Sequence, residues 1–312
     1  MKKALRSLFF IQGFLLMVAA ASAQQSYFND VTESSITVKG KRTIFPQKFR
    51  MVKADFDGLR TFLLSLPSEA NILNRNLTPE ILLPKPDGQM ARFHVWESSI
   101  QEPALQAKFP EIRTFCGQGI DDPHATMRLD INPYFGFHGQ ILTPNGNYYI
   151  DPYSRNDLDH YMSYFTADHI KPHDFVCYTN EPSLPKPQGV EAGPCRGTTL
   201  KTYRLAIACT GEYAVAVGGT TAATLHAAIV TSANRVSGVY ETEISVRLVL
   251  IANNNVIEYL SASSDPFTGN NNANTLINES QTVINGNIGS ANYDFGHTFS
   301  TGGGGLAQLG CV

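Results

Sequence analysis

The sequence predicts a mixed α+β chain, with a mostly β first part followed by an α/β second part. Three observations predict it. Period-two alternation and short turn signals dominate the chain up to about residue 180. The stretch 181–197, EPSLPKPQGVEAGPCRG, then gathers four prolines among glycines and small residues. Pro-rich segments stay extended, so this reads as a linker. Beyond it, helical spacing falls between two apolar runs, the pattern of a strand, a crossover helix and a parallel strand.

Taken in order, residues 1–23 combine a basic start (Lys2, Lys3, Arg6), an apolar run and the small residues Ala21-Ser22-Ala23. This predicts a secretory signal peptide, and hence a secreted, periplasmic or extracellular location. The run is short for a membrane anchor, and no later stretch predicts a span. Residues 24–180 form the β-rich domain. Its first hairpin pairs Glu80–Leu83 with Met90–Trp96, where Ala91, Phe93 and Val95 alternate with Arg92, His94 and Trp96. A second pairs Phe137–Leu142 with Tyr148–Ile150 across Asn145-Gly146, a favoured short-turn pair. In residues 198–312, Tyr203–Ala208 predicts a strand. Leu225, Ala228, Ile229, Ser232, Val236, Val239 and Tyr240 predict one buried helix face, and Ile244–Ile251 predicts a strand buried on both sides. A further helix is predicted over Asn274–Ile284.

Composition excludes several classes. Charged residues make up 16% and hydrophobic residues 43%, with a net charge of -3, so nothing supports nucleic-acid binding. The run Gly302–Gly305 lacks the Gly-Lys pair and following helix of a phosphate loop, and G-x-S-x-G does not occur. None of the eight histidines begins H-E-x-x-H. His169 and His173 have i, i+4 spacing, but Ile170 replaces the base and Pro172 breaks the helix between them. The lone His297 reads as structural, and His226 is assigned no role. No residue is assigned as catalytic or as a metal ligand.

Several words of the sequence together resemble the reprolysin-like (adamalysin-type, metzincin) zinc metallopeptidases, in particular secreted bacterial members with a propeptide. In the second part these are Arg204–Tyr213 (RLAIACTGEY), Asn234–Glu241 (NRVSGVYE), Tyr293–Phe299 (YDFGHTF) and Gly302–Ala307 (GGGGLA). Upstream, Arg92–Ser98, Gly117–Pro123 and Ile150–Tyr153 resemble the family's propeptide. The resemblance implies a β-rich propeptide packed on the N-terminal half of an α/β metzincin catalytic domain. It implies a zinc-dependent endopeptidase, secreted as a latent precursor and acting on peptide or protein substrates. Gly305, Leu306, Ala307, Gln308 and Leu309 become the substrate-binding edge strand, to which a peptide adds as a further strand.

In the family, a helix carrying H-E-x-x-H-x-x-G-x-x-H follows this strand and holds the zinc. The present sequence reaches Val312 without it, so the expectation is a truncated, inactive chain that binds no zinc itself. The alternative reading is a non-enzymatic secreted binding or inhibitory module. Five cysteines leave one over. Cys177 and Cys195 flank the linker closely enough for a disulfide worth roughly 3 kcal/mol. By the resemblance, Cys311 pairs with a later residue. A latency thiol at Cys116 or Cys177 is the competing idea.

Overall fold

A computed structural model of the chain describes residues 26–170, 176–179 and 199–308. The signal-peptide assignment, the linker 181–197, His173, Cys195, Leu309 and Cys311 lie outside the described residues.

The first part builds one antiparallel sheet of nine strands: β1 (Phe28–Asp30), β2 (Arg50–Ala54), β3 (Glu80–Pro84), β4 (Met90–Glu97), β5 (Arg113–Gly119), β6 (Thr126–Asn132), β7 (Gly136–Leu142), β8 (Tyr148–Pro152) and β9 (His160–Phe165). Their order is β1-β2-β9-β8-β7-β6-β5-β4-β3. Strands β3 to β9 form a meander, and β2 joins its far end by pairing Met51 with Met162. Sheet twist curls the array until β3 returns toward β9 and β2. Ser163 Oγ donates to Pro84 O at 2.8 Å, and Arg50 Nη1 donates to Gln89 O at 2.6 Å. Both predicted hairpins are present, and Gly146 takes the left-handed conformation at φ 119°. Helix α1 (Phe56–Leu64), N-capped by Asp55, lays Leu59 and Leu63 on a core with Phe93, Phe115, Leu129 and Phe137.

The second part holds a three-stranded parallel sheet, β11-β10-β12, made of β10 (Lys201–Cys209), β11 (Val246–Leu250) and β12 (Phe295–Phe299). After the short α2 (Pro103–Lys108) of the first part come α3 (Gly211–Val217), α4 (Ala222–Ile244) and α5 (Ala273–Asn287). A Thr221/Thr224 capping box starts α4, and Ser245 at φ 57° ends it. Ile244 and Ser245 therefore belong to the helix end, and β11 is shorter than its apolar run. Asn254, fully buried, donates to Ile207 O at 3.1 Å and accepts from Ile207 N at 2.7 Å, imitating a neighbouring strand. No single helix among the described residues is long and apolar enough to cross a membrane.

The predicted face of α4 is corrected by the structure. The buried residues are Leu225, His226, Ala227, Ile229, Val230, Ala233, Asn234, Ser237 and Gly238, whereas Val236, Val239 and Tyr240 are exposed. The helix is covered from two directions. One side meets β10 and β11, where Ser237 Oγ accepts from Leu248 N at 3.2 Å, and the other meets β6 and β7 of the antiparallel sheet through small and polar side chains. A Cβ on Gly238 would lie 2.7 Å from Arg128 Cγ and 2.9 Å from Gln140 Oε1.

Two glycines separate packing from propensity. A Cβ on Gly211 would sit 1.9 Å from the Ala262 amide nitrogen, while one on Gly286 in α5 meets nothing within 4 Å. Gly211→Ala is expected to destabilise by about 2 kcal/mol or more. Gly286→Ala is expected to be neutral or to stabilise by up to about 1 kcal/mol. Thermal melts of the two variants check this, and equal melting temperatures would contradict it.

Candidate functional site

The parallel sheet turns the C-terminal ends of β10 and β12 toward one loop cluster, the end at which open α/β sheets bind ligands. Asn270 organises it. Its Oδ1 accepts from Thr210 Oγ1 at 2.9 Å and from Thr301 N at 3.1 Å, and its Nδ2 donates to Thr301 Oγ1 at 2.8 Å. Asp265 accepts from Gly211 N at 2.7 Å, tying the same cluster to the start of α3.

The glycine run lies over this cluster, and two of its members are required by close approach. A Cβ on Gly302 would stand 2.7 Å from Asn270 O. Gly304 has φ +102°, and a Cβ there would stand 2.3 Å from Val176 O and 2.7 Å from Tyr178 Cε2. The chain thus admits a second backbone alongside Gly305, and that backbone is its own. Cys177 and Gly305 form a parallel bridge. Tyr178 N donates to Gly305 O at 2.8 Å, Gly305 N to Val176 O at 2.9 Å, and Ala307 N to Thr179 Oγ1 at 2.9 Å. Of the expected substrate-binding residues, Gly305 and Leu306 are half-buried, Ala307 and Gln308 are exposed, and Leu309 lies outside the described residues. The exposed Cys177 sits at this bridge, whereas Cys116 is buried in β5, far along the sequence from the glycine run.

The described residues do not offer a zinc-like ligand set. Their one cluster of three candidate donors is Asp157, Asp159 and His160. The Lys39 ammonium already lies 3.2 and 2.8 Å from the two carboxylates, and His160 Nδ1 is 2.9 Å from Asp157. That is an ion-pair cluster with its cation supplied by lysine. The other histidines are dispersed: His94 faces Thr78 O, His138 faces Asp130, His169 lies beside Tyr164, and His297 meets Phe299 edge-on.

Sequence reasoning missed the most heavily built polar region, the seam between α4 and the antiparallel sheet. Thr231 Oγ1 donates to Asp130 Oδ2 at 2.8 Å, and Asn234 Nδ2 donates to Leu129 O at 3.0 Å. Arg235 pairs with Asp151, which also accepts from the Tyr164 hydroxyl at 2.7 Å. Glu241 bridges Arg128 and Arg247, and Arg247 reaches Glu69 at 2.7 Å. A cleft of about 360 Å³ opens along the seam, lined by His138, Ser154, Tyr213 and Arg235 among others. The buried His226 faces Glu258 at 2.8 Å and Gln101 at 2.7 Å, partners 32 and 125 positions away in sequence. No local signal could have found them.

Burial alone would raise the Asp151 carboxyl, but Arg235, His138 and the Tyr164 hydroxyl outweigh it and hold it below the usual carboxylate range. Burial pushes the Cys209 thiol up to about 12, and the Cys116 thiol is raised for the same reason. These two sulfurs are protonated core atoms rather than nucleophiles.

Two outcomes are expected. Tyr178→Pro removes the donor to Gly305 O, so exchange of the Gly305 and Ala307 amides should accelerate about fivefold, the worth of one hydrogen bond. Unchanged exchange in a deuterium experiment would contradict the pairing. Asp151→Asn leaves the half-buried Arg235 without its buried carboxylate partner, at a cost of about 2 kcal/mol. Because the folded carboxyl titrates below its unfolded value, its contribution is fully present above about pH 4 and is lost as pH falls through the folded value. Denaturant melts should therefore show the gap to wild type narrowing below about pH 4. A constant gap from pH 3 to pH 7 would count against it.

Residues 199–310 match the reprolysin-like M12B family of metallopeptidases. The match spans β10 through the glycine run and includes Gly305–Gln308. No curated protein matches the chain at a significant level.

Proposed function

We propose that the chain is the precursor form of a secreted, zinc-dependent endopeptidase, with residues 24–180 as its propeptide and residues from 198 onward belonging to the catalytic domain. The observation that carries this reading is the backbone pairing of Val176–Thr179 with Gly305–Ala307 inside the region that matches the metallopeptidase family. The end of the proposed propeptide occupies the edge that the reading assigns to substrate. Latency then needs no active-site chemistry, since the row of donors and acceptors that a peptide would use is already satisfied. Cys177, exposed at that bridge, is the better placed of the two candidate latency thiols.

The zinc ligands and general base of the family do not occur as H-E-x-x-H among these 312 residues. No catalytic step is assigned to the residues in hand. Purified residues 24–312 are expected to hold no stoichiometric zinc and to leave casein intact. One tightly held zinc per chain would point instead to the histidines described above. The decisive test is the gene sequence beyond the codon for Val312. An in-frame H-E-x-x-H-x-x-G-x-x-H shortly downstream supports the peptidase, and an immediate stop codon favours the secreted binding module instead.

A further inference from the structure

We propose that Ile100–Ile112, although part of the first domain, is a built-in component of the second, so that a chain cut in the 181–197 linker stays together as a two-piece complex. A single cut would then not release the first part, and its removal needs a second event. This goes beyond the latency reading and holds whether or not the chain ever carries zinc.

Three kinds of contact carry it. The first is backbone pairing on the outer edge of β11. Leu250 N donates to Ile100 O at 2.7 Å, Glu102 N donates to Leu250 O at 2.8 Å, and Gln101 bridges Leu250 in parallel. Residues 100–102 therefore cover the end of β11's outer edge, which would otherwise be open there. The second is the core. Ile100, Leu105 and Ile112 are fully buried and Phe109 is 8% exposed, all in one cluster with Leu205, Ile207, Leu225, Ile229, Leu248 and Leu250. Removing the segment strips this cluster of four large side chains and leaves an apolar face in water.

The third contact is polar and directional. Gln101 Nε2 donates to Gln106 Oε1 and to Ile112 O, both at 3.1 Å, which turns its Oε1 toward His226 Nε2 at 2.7 Å. The Glu258 carboxylate lies 2.8 Å from Nδ1 of the same ring and also accepts from Asn254 Nδ2 at 2.7 Å. Both imidazole nitrogens thus have a polar partner within hydrogen-bond distance. The Phe109 ring stacks on it at 4.2 Å. Outside the ring, Glu102 Oε2 accepts from Ala252 N at 2.7 Å, and Lys108 Nζ lies 2.8 Å from Asn255 Oδ1. The residues holding the segment are therefore specific in register as well as apolar.

The test uses the full chain with a site-specific protease sequence inserted after Gly189, run before and after cutting by size exclusion at about 1 µM. The cut pieces are expected to co-elute, and to do so still in about 1 M salt, where exposed charges are screened within about 3 Å. Two separate peaks, or precipitation of the second piece with the first left soluble, would overturn the proposal. Ile100→Asp combined with Phe109→Ala should leave the uncut chain as a single peak and separate the cut pieces. Co-elution as strong as wild type would overturn the assignment to this segment. If the double variant fails to fold, Gln101→Leu serves, with about tenfold weaker association of the cut pieces expected. Unchanged association in that variant would overturn the role of the His226 contact.

Discussion

Helix α4 has to satisfy two unlike surfaces, and much of the molecule is arranged around that demand. Toward β10 and β11 it presents Leu225, Ile229 and Val230, which are buried like any core residues. Toward the antiparallel sheet it presents Thr231, Asn234, Arg235 and Gly238 against Leu129, Asp130, Asp151 and Arg128. A helix cannot put a wide apolar stripe on both sides and stay soluble along the remainder. The second contact is therefore made of small residues that allow close approach and of polar groups such as Thr231, Asn234 and Arg235 that find partners on the sheet.

The glycine run answers a similar constraint at the other end of the parallel sheet. Gly302 and Gly304 are fixed by carbonyl oxygens of Asn270 and Val176 that a side chain would strike. One backbone must pass close over another there, whatever the second backbone belongs to. Asn270 holds the loop to Thr210, so the position of this edge is tied to the end of β10 rather than to the loop's own conformation.

Much of this was legible in the sequence. Both hairpins, the Asn145-Gly146 turn, β10, β11 and α5 follow from period and turn chemistry, because each is decided by neighbours close in sequence. The face of α4 was misread because periodicity assumes one apolar partner, and Val236, Val239 and Tyr240 have the right spacing but the wrong side. Strands β1 and β2 carry no turn signal linking them to β9, and their pairing is set by the curl of the whole sheet. At the candidate edge, the words around Gly305 were readable, but the identity of the backbone beside it was not. Val176–Thr179 is a short, unpatterned segment whose place depends on tertiary structure alone.

The position of Ile100–Ile112 in the core of the second part has a consequence for synthesis. The chain emerges with this segment first, and domains fold broadly in that order. When Lys201–Cys209 and Val246–Leu250 appear, the pairing backbone of residues 100–102 and the four apolar side chains they pack on are already held on a finished sheet. The parallel pair of β10 and β11, which must otherwise bring distant residues together unaided, closes onto a surface that exists beforehand. The first part is in this sense a mould, and the second part takes its register from it.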